Sequence, residues 1–206
     1  MSIIAAGDIF STKGKGISGW LSEHGTKTLK GSHTNRFHFG IIADPIYSTS
    51  GKIIDYETRE SISKGPSTLR FFEKYNGKDI ELYRISGLTK DEGLQLVRSI
   101  SEIGDKSYGY KDIAIAAWDV FCLFMTMQFP PYTALQFKES SSDTYICTEI
   151  PAYGARKIGR PLESDGWEKV WVIPVVYLQA IEEGRLIKYY KGNVIDLKNL
   201  YYKDES

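Results

Sequence analysis

The sequence predicts an α+β domain, and three observations carry that class. An apolar, β-branched run, Phe37 to Ala43, and a second strand, Lys52 to Thr58, are joined by a connection short enough to make them antiparallel neighbours. Helical patterns are segregated from these strands rather than alternating with them, as at leucine, valine and isoleucine 94, 97, 100 and 103 behind the cap residue Thr89. The chain has 206 residues, 42% of them apolar, which is enough to bury one core. There is no repeat, low-complexity tract or long linker, so one domain over 1–206 is expected.

Taken in order, Gly7-Asp8-Ile9-Phe10 reads as a strand entering a glycine-punctuated loop, with a short helix near Trp20-Leu21. Phe37 to Ala43 is a buried strand with one polar member, His38, and Asp44-Pro45 closes it. Gly51 opens the strand Lys52 to Thr58, in which residues 55 and 57 share a face. Ile80 to Ile85 follows the Asn76-Gly77 turn as another strand, and Thr89 caps a helix through Ile103. Ile113 to Phe129 is an apolar helical stretch that contains Asp119 and ends at Pro130-Pro131. It falls short of the ~20 apolar residues of a membrane span, so it reads as a core helix. An interfacial, lid or dimer-forming helix is the alternative, which its Trp118, Phe121 and Phe124 would suit. The segment Tyr145 to Ile150 is a strand or the first turn of a helix that carries Pro151 near its start. A strand, Lys169 to Ile173, and a helix, Val175 to Glu183, complete the reading.

Twenty-six basic residues balance twenty-six acidic ones, so no electrostatic surplus draws the chain to nucleic acid. The first ten residues lack the charged and apolar regions of a secretory signal, and a cytoplasmic location is expected. Two cysteines make no disulfide framework; a single Cys122–Cys147 bridge is disfavoured because Cys122 sits in the apolar run. The histidines lack helical pair spacing and the cysteines do not cluster, so no metal is expected. No phosphate-binding glycine loop, dinucleotide fingerprint or kinase signature is present, and no cofactor is expected.

What remains is thiol chemistry. A cysteine attacks as thiolate, which an imidazole or a helix N-terminus stabilises, moving the thiol pKa from about 8.5 toward ~3.5–7.5. Cys147, ahead of a small-residue helical stretch, has both within reach; the competing reading is a small buried hydrophobe. Of the three histidines, His24 and His33 lie in polar loop sequence, whereas His38 interrupts an apolar strand. An imidazole there must be hydrogen-bonded or functional. A histidine base needs a third group on its other ring nitrogen, and the neighbouring strand offers Asp55 and Glu57.

The order of these segments resembles the circularly permuted NlpC-like branch of the papain fold, the YiiX/YaeF-like family, in which histidine precedes cysteine. The resemblance runs from about Gly7 to about Ile187. Gly7-Asp8-Ile9-Phe10 resembles that family's opening strand and Phe37-His38-Phe39-Gly40-Ile41-Ile42 its histidine strand. Tyr145-Ile146-Cys147-Thr148-Glu149, preceded by Tyr108-Gly109-Tyr110, resembles its cysteine motif, and Ile173-Pro174-Val175-Val176-Tyr177-Leu178 its closing strand-to-helix turn. Two positions depart from it: Thr148 stands where the family has serine after the cysteine, and Phe37 where it has serine before the histidine. The pair Ser32-His33 makes His33 the competing base, but the apolar-Gly-Ile pattern that follows His38 is missing there.

The resemblance implies an antiparallel sheet or partial barrel packed against helices, with the cysteine at a helix N-terminus facing the histidine. It implies a papain-like thiol hydrolase with Cys147 as nucleophile, His38 as base and an acidic third member, best matched by Glu57 with Asp55 close by. Peptide, small-molecule or lipid acyl substrates follow from the wider superfamily. A lipid-directed acyltransferase touching a membrane through 113–129 and a non-catalytic binding module are the alternatives. Nothing in the sequence sets an oligomeric state.

Overall fold

The computed structural model describes residues 3–14, 28, 30–62, 64–104, 107–108, 144–145, 147–164 and 174–203. Eight strands and five helices lie among them: β1 (Ile9–Lys13), β2 (Arg36–Tyr47), β3 (Ile53–Ile62), β4 (Gly65–Arg70), α1 (Phe71–Lys74), β5 (Asp79–Ile85), α2 (Lys90–Ser101), β6 (Ser107–Tyr108), β7 (Thr144–Tyr145), α3 (Glu149–Lys157), α4 (Pro174–Glu182), β8 (Leu186–Asn193) and α5 (Val194–Lys203). The predicted helices near Trp20 and over 113–129, and the predicted strand over 169–173, fall outside the described residues.

Six strands form one sheet in the order β4-β3-β2-β1-β5-β8, with every neighbouring pair antiparallel. Strand alternation sends side chains to two faces. On one face Ile9, Phe39, Ile41 and Ala43 pack against α2, α3 and α4 through Leu96, Ile100, Ile150, Ala155, Val176 and Tyr177. On the other, Phe10, Ile42 and Leu82 meet Phe71, Phe72 and Tyr75 of the α1 region and Leu197 and Tyr201 of α5. Burying each of these large side chains contributes about 1.5–3 kcal/mol. The predicted α+β class with an antiparallel sheet packed on helices holds at this level.

Local chemistry explains the boundaries. The cap of α2 is the predicted one: Thr89 accepts from the Glu92 N–H while Glu92 reaches back to the Thr89 N–H. The opening Gly7-Asp8 pair is an anchor. Gly7 has φ 90°, and a Cβ there would lie 2.8 Å from the Gly93 backbone, so only glycine fits between β1 and α2. Asp8, fully buried, accepts from the Ala5 N–H at 2.7 Å, the Arg84 guanidinium at 2.7 Å and the Tyr189 hydroxyl at 2.7 Å. It thereby ties β1 to β5 and β8.

Two predicted limits shift. Asp44-Pro45 does not close β2; the strand runs on to Tyr47, and its pairing with β3 is irregular between Ile42 and Pro45. A proline without an N–H is tolerated at such a break. The next strand does not stop at Thr58 but continues to Ile62 and turns into β4.

Candidate active site

Three elements converge on the site. His38 lies on β2, opposite Thr12 of β1 and two residues from Gly40, which faces Glu60 of β3. With a two-residue period, His38, Gly40 and Glu60 belong to one face of the sheet. Gly40 has no side chain to separate them, and a Cβ there would lie 2.6 Å from the Phe10 ring and 3.0 Å from Glu60 Cβ. The vacancy above Gly40 thus seats Phe10 and lets Glu60 lean diagonally to the imidazole. The His38 Nε2–H donates to Glu60 Oε2 at 2.6 Å, with the Tyr75 hydroxyl 3.1 Å from the same nitrogen.

Glu60 is itself held on both oxygens. Tyr75 donates to Oε2 at 2.5 Å and Thr58 donates to Oε1 at 2.8 Å. The carboxylate side chain is fully buried, while the imidazole is 21% exposed. Burial alone would push the Glu60 carboxyl up. Its hydrogen bond to His38 and the charge on that ring outweigh burial, helped by Tyr75 and Thr58, and hold it below the usual range. Burial of Tyr75, reinforced by the adjacent Glu60 charge, pushes the phenol well up, so it stays a donor.

The third element is the turn Cys147-Thr148, between β7 and α3. Cys147 is a free thiol, 4% exposed; Cys122 lies outside the described residues. Its Sγ–H donates to the Phe37 carbonyl at 3.7 Å. Phe37 is the residue that the β1–β2 pairing skips, because Thr12 faces His38 and Lys13 faces Arg36. Glu60 and Tyr75 both meet the ring at Nε2. Burial would push the His38 ring down, but hydrogen bonds to Cys147 and then Glu60, followed by their charges, outweigh it and push it up to about 10.

The turn is braced from α4. Tyr177 donates to the Thr148 carbonyl, and its ring stacks on Phe39 at 4.0 Å between centroids. A single side chain therefore links the residue after the cysteine to the residue after the histidine. The Thr148 hydroxyl is buried without a hydrogen-bond partner. It lies at the N-terminal end of α3, where backbone N–H groups have no partner within the helix.

Among the residues singled out from sequence, His38 and Cys147 come together. Glu57 does not join them. It lies on the opposite face of β3 from Glu60 and pairs with Arg59 at 2.9 Å. Asp55 is also elsewhere: it accepts from the Phe72 N–H at 2.7 Å and the Glu73 N–H at 3.3 Å, capping α1. The carboxylate that reaches the imidazole is Glu60, which sequence reasoning missed along with Tyr75. Strand parity from His38 through Gly40 was the available signal. His33 lines a separate cleft beside Arg36 and Lys191, and His24 lies outside the described residues.

Among the described residues no group of three or more His, Cys, Asp and Glu side chains is arranged to hold a metal ion. None of the described helices is long and apolar enough to cross a membrane. No family model, curated protein or solved structure matches the chain.

Proposed function

We propose that the protein is a cysteine-dependent hydrolase that cleaves an amide or ester bond through an acyl-enzyme, on the plan of the circularly permuted NlpC-like papain-fold proteins. The observation that carries the reading is the single imidazole held between Cys147 and the buried Glu60. A nucleophile, a proton carrier and an orienting carboxylate in series are the parts that acyl transfer needs. The order of a histidine strand before a cysteine turn supports the family plan.

In this mechanism Cys147 attacks as thiolate, its proton passing from the Sγ–H to His38. The sulfur–carbon bond forms as the carbonyl π pair moves to oxygen, where α3 N–H groups and the Thr148 hydroxyl receive it. The intermediate collapses with cleavage of the C–N or C–O bond, and His38 delivers its proton to the leaving amine or alcohol. Water then attacks the thioester, His38 takes the water proton, and the acid product departs with the thiolate restored. Glu60 keeps the ring in position throughout and favours its charged form. Peptide and lipid acyl groups are the substrate classes that fit the reading.

The test is a small thiol-reactive acyl probe on the folded protein. Cys147 is expected to react at least about tenfold faster than Cys122, with the advantage lost in His38→Ala. Equal rates for the two cysteines, together with no effect of His38→Ala, would overturn the proposal.

A further inference from the structure

At one end of the sheet, β2, β5, β8 and α4 enclose a cleft of about 260 Å³ that the mechanism leaves unused. Its charges do not balance. Arg36, only 2% exposed, approaches Glu81 Oε1 at 3.0 Å, and Lys188 and Lys191 approach that same oxygen at 3.6 and 3.8 Å. The other Glu81 oxygen is taken by the Tyr83 hydroxyl at 2.5 Å, which Ser11 meets at 3.0 Å. Asp79 is the other nearby carboxylate, and its closest cation is Lys13 at 2.5 Å, with Arg36 at 3.7 Å.

Among the described residues, four cations thus share two carboxylates, and three of the four crowd a single oxygen. The arrangement is also short of acceptors. One terminal Arg36 nitrogen donates to the Asp79 carbonyl at 3.3 Å and the other is the one paired with Glu81, but Nε has no hydrogen-bond partner. A buried guanidinium left in that state is costly unless something completes it. Lys188 and Lys191 are 39% and 64% exposed, so their ammonium groups can swing toward a ligand in the cleft.

The cleft adjoins the cysteine turn through one shared side chain. Tyr177 lines it and donates to the Thr148 carbonyl, and Arg36 precedes Phe37, whose carbonyl accepts from Cys147. From this geometry we infer that the cleft is an anion subsite, in which Arg36, Lys188 and Lys191 receive a carboxylate or phosphate group carried by the molecule whose acyl bond Cys147 attacks. The identity of that molecule as an acyl substrate rests on the hydrolase reading; the anion site does not. An oxyanion supplies the acceptor lone pairs that the guanidinium lacks and neutralises the surplus positive charge.

The test separates the two. In Cys147→Ser protein, acetate and inorganic phosphate are titrated at constant ionic strength against chloride and followed by NMR shifts of residues 36, 81, 188 and 191. Saturable binding of one or both is expected, about tenfold weaker in Lys188→Gln/Lys191→Gln, whose exposed positions spare the fold. Acetate alone identifies a carboxylate site, phosphate alone a phosphate site, and both the shared oxyanion chemistry. No binding above chloride, or equal binding by the double variant, overturns the subsite. With active protein, an acyl donor bearing a carboxylate is compared with its methyl ester. A KM advantage for the charged donor that the double variant abolishes supports the subsite's role toward substrate; turnover without that advantage overturns that role. Anion binding without turnover of either donor upholds the site and counts against the hydrolase reading.

Discussion

Replacing Glu60 with glutamine removes one charge and leaves the side chain's shape, and the structure gives the size of the effect. The carboxylate accepts from His38 at 2.6 Å, Tyr75 at 2.5 Å and Thr58 at 2.8 Å. The amide can keep its oxygen toward His38 and Tyr75 and turn its NH₂ to Thr58, which can accept as a hydroxyl. What is lost is the charge assistance on the imidazole, worth about 1.5–3 kcal/mol for a hydrogen bond to a charged group. At 1.36 kcal/mol per pKa unit, His38 should fall by about 1–2 units from its position near 10. The ring keeps an acceptor on Nε2 but loses the charge that favours its protonated form, so turnover should fall by about 10–10²-fold. The assay is NMR titration of the His38 Cε1–H in Glu60→Gln, with Glu57→Gln as control, because Glu57 is paired to Arg59 on the other face. A His38 titration unmoved in Glu60→Gln, or moved as far in Glu57→Gln, would refute the assignment of Glu60.

Four further outcomes follow from the same contacts. In Cys147→Ala the hydrogen bond and charge that help lift His38 are gone, so NMR should find the ring titrating below its wild-type value with Glu60 still in place; an unchanged value contradicts their contact. The Glu60 carboxyl is held below its ordinary 4.5, so its stabilisation is complete above that pH and is lost as pH falls through the lower folded value. The stability gap between wild type and Glu60→Gln in urea should therefore close in acid, and a gap constant from pH 7 to 2 would oppose this. Gly40→Ala drives a Cβ to 2.6 Å from the Phe10 ring and should cost about 1–3 kcal/mol in denaturant melts while displacing Glu60 from His38. Asp8→Ala leaves Arg84 without the carboxylate it meets at 2.7 Å and should cost about 3–5 kcal/mol; a near-neutral melt would rule out the anchor.

The elements legible in the sequence are those with long or strongly patterned signals. The β2–β3 pair, the Thr89-capped helix and α4 each carry periodicity over seven or more residues or a cap with a mechanism. The four-residue α1 is too short for helical periodicity, and its cap comes from Asp55, far earlier in the chain. β8 mixes lysines and tyrosines on a half-exposed edge of the sheet, so its apolar alternation is weak.

His38 stood out because an imidazole in an apolar strand needs a partner. With β3 expected to end at Thr58, the candidates for that partner were Asp55 and Glu57, and the family resemblance favoured Glu57. The strand's continuation to Ile62 brings Glu60 opposite Gly40. The missing side chain at Gly40 then converts a register position into a contact, and that consequence belongs to packing rather than to local pattern. Arg36 and Glu81 were not singled out either, because their pairing joins strands that are 45 residues apart in the chain.

The central claim is that Cys147 carries the acyl group, and trapping that adduct tests it most directly. An activated acyl ester is mixed with the protein, quenched in acid within the first turnover and mapped by peptide mass spectrometry. The account predicts one acyl group as a thioester on Cys147, absent in His38→Ala and labile to hydroxylamine. An adduct found equally on Cys122, or no adduct while the ester is consumed, would contradict it.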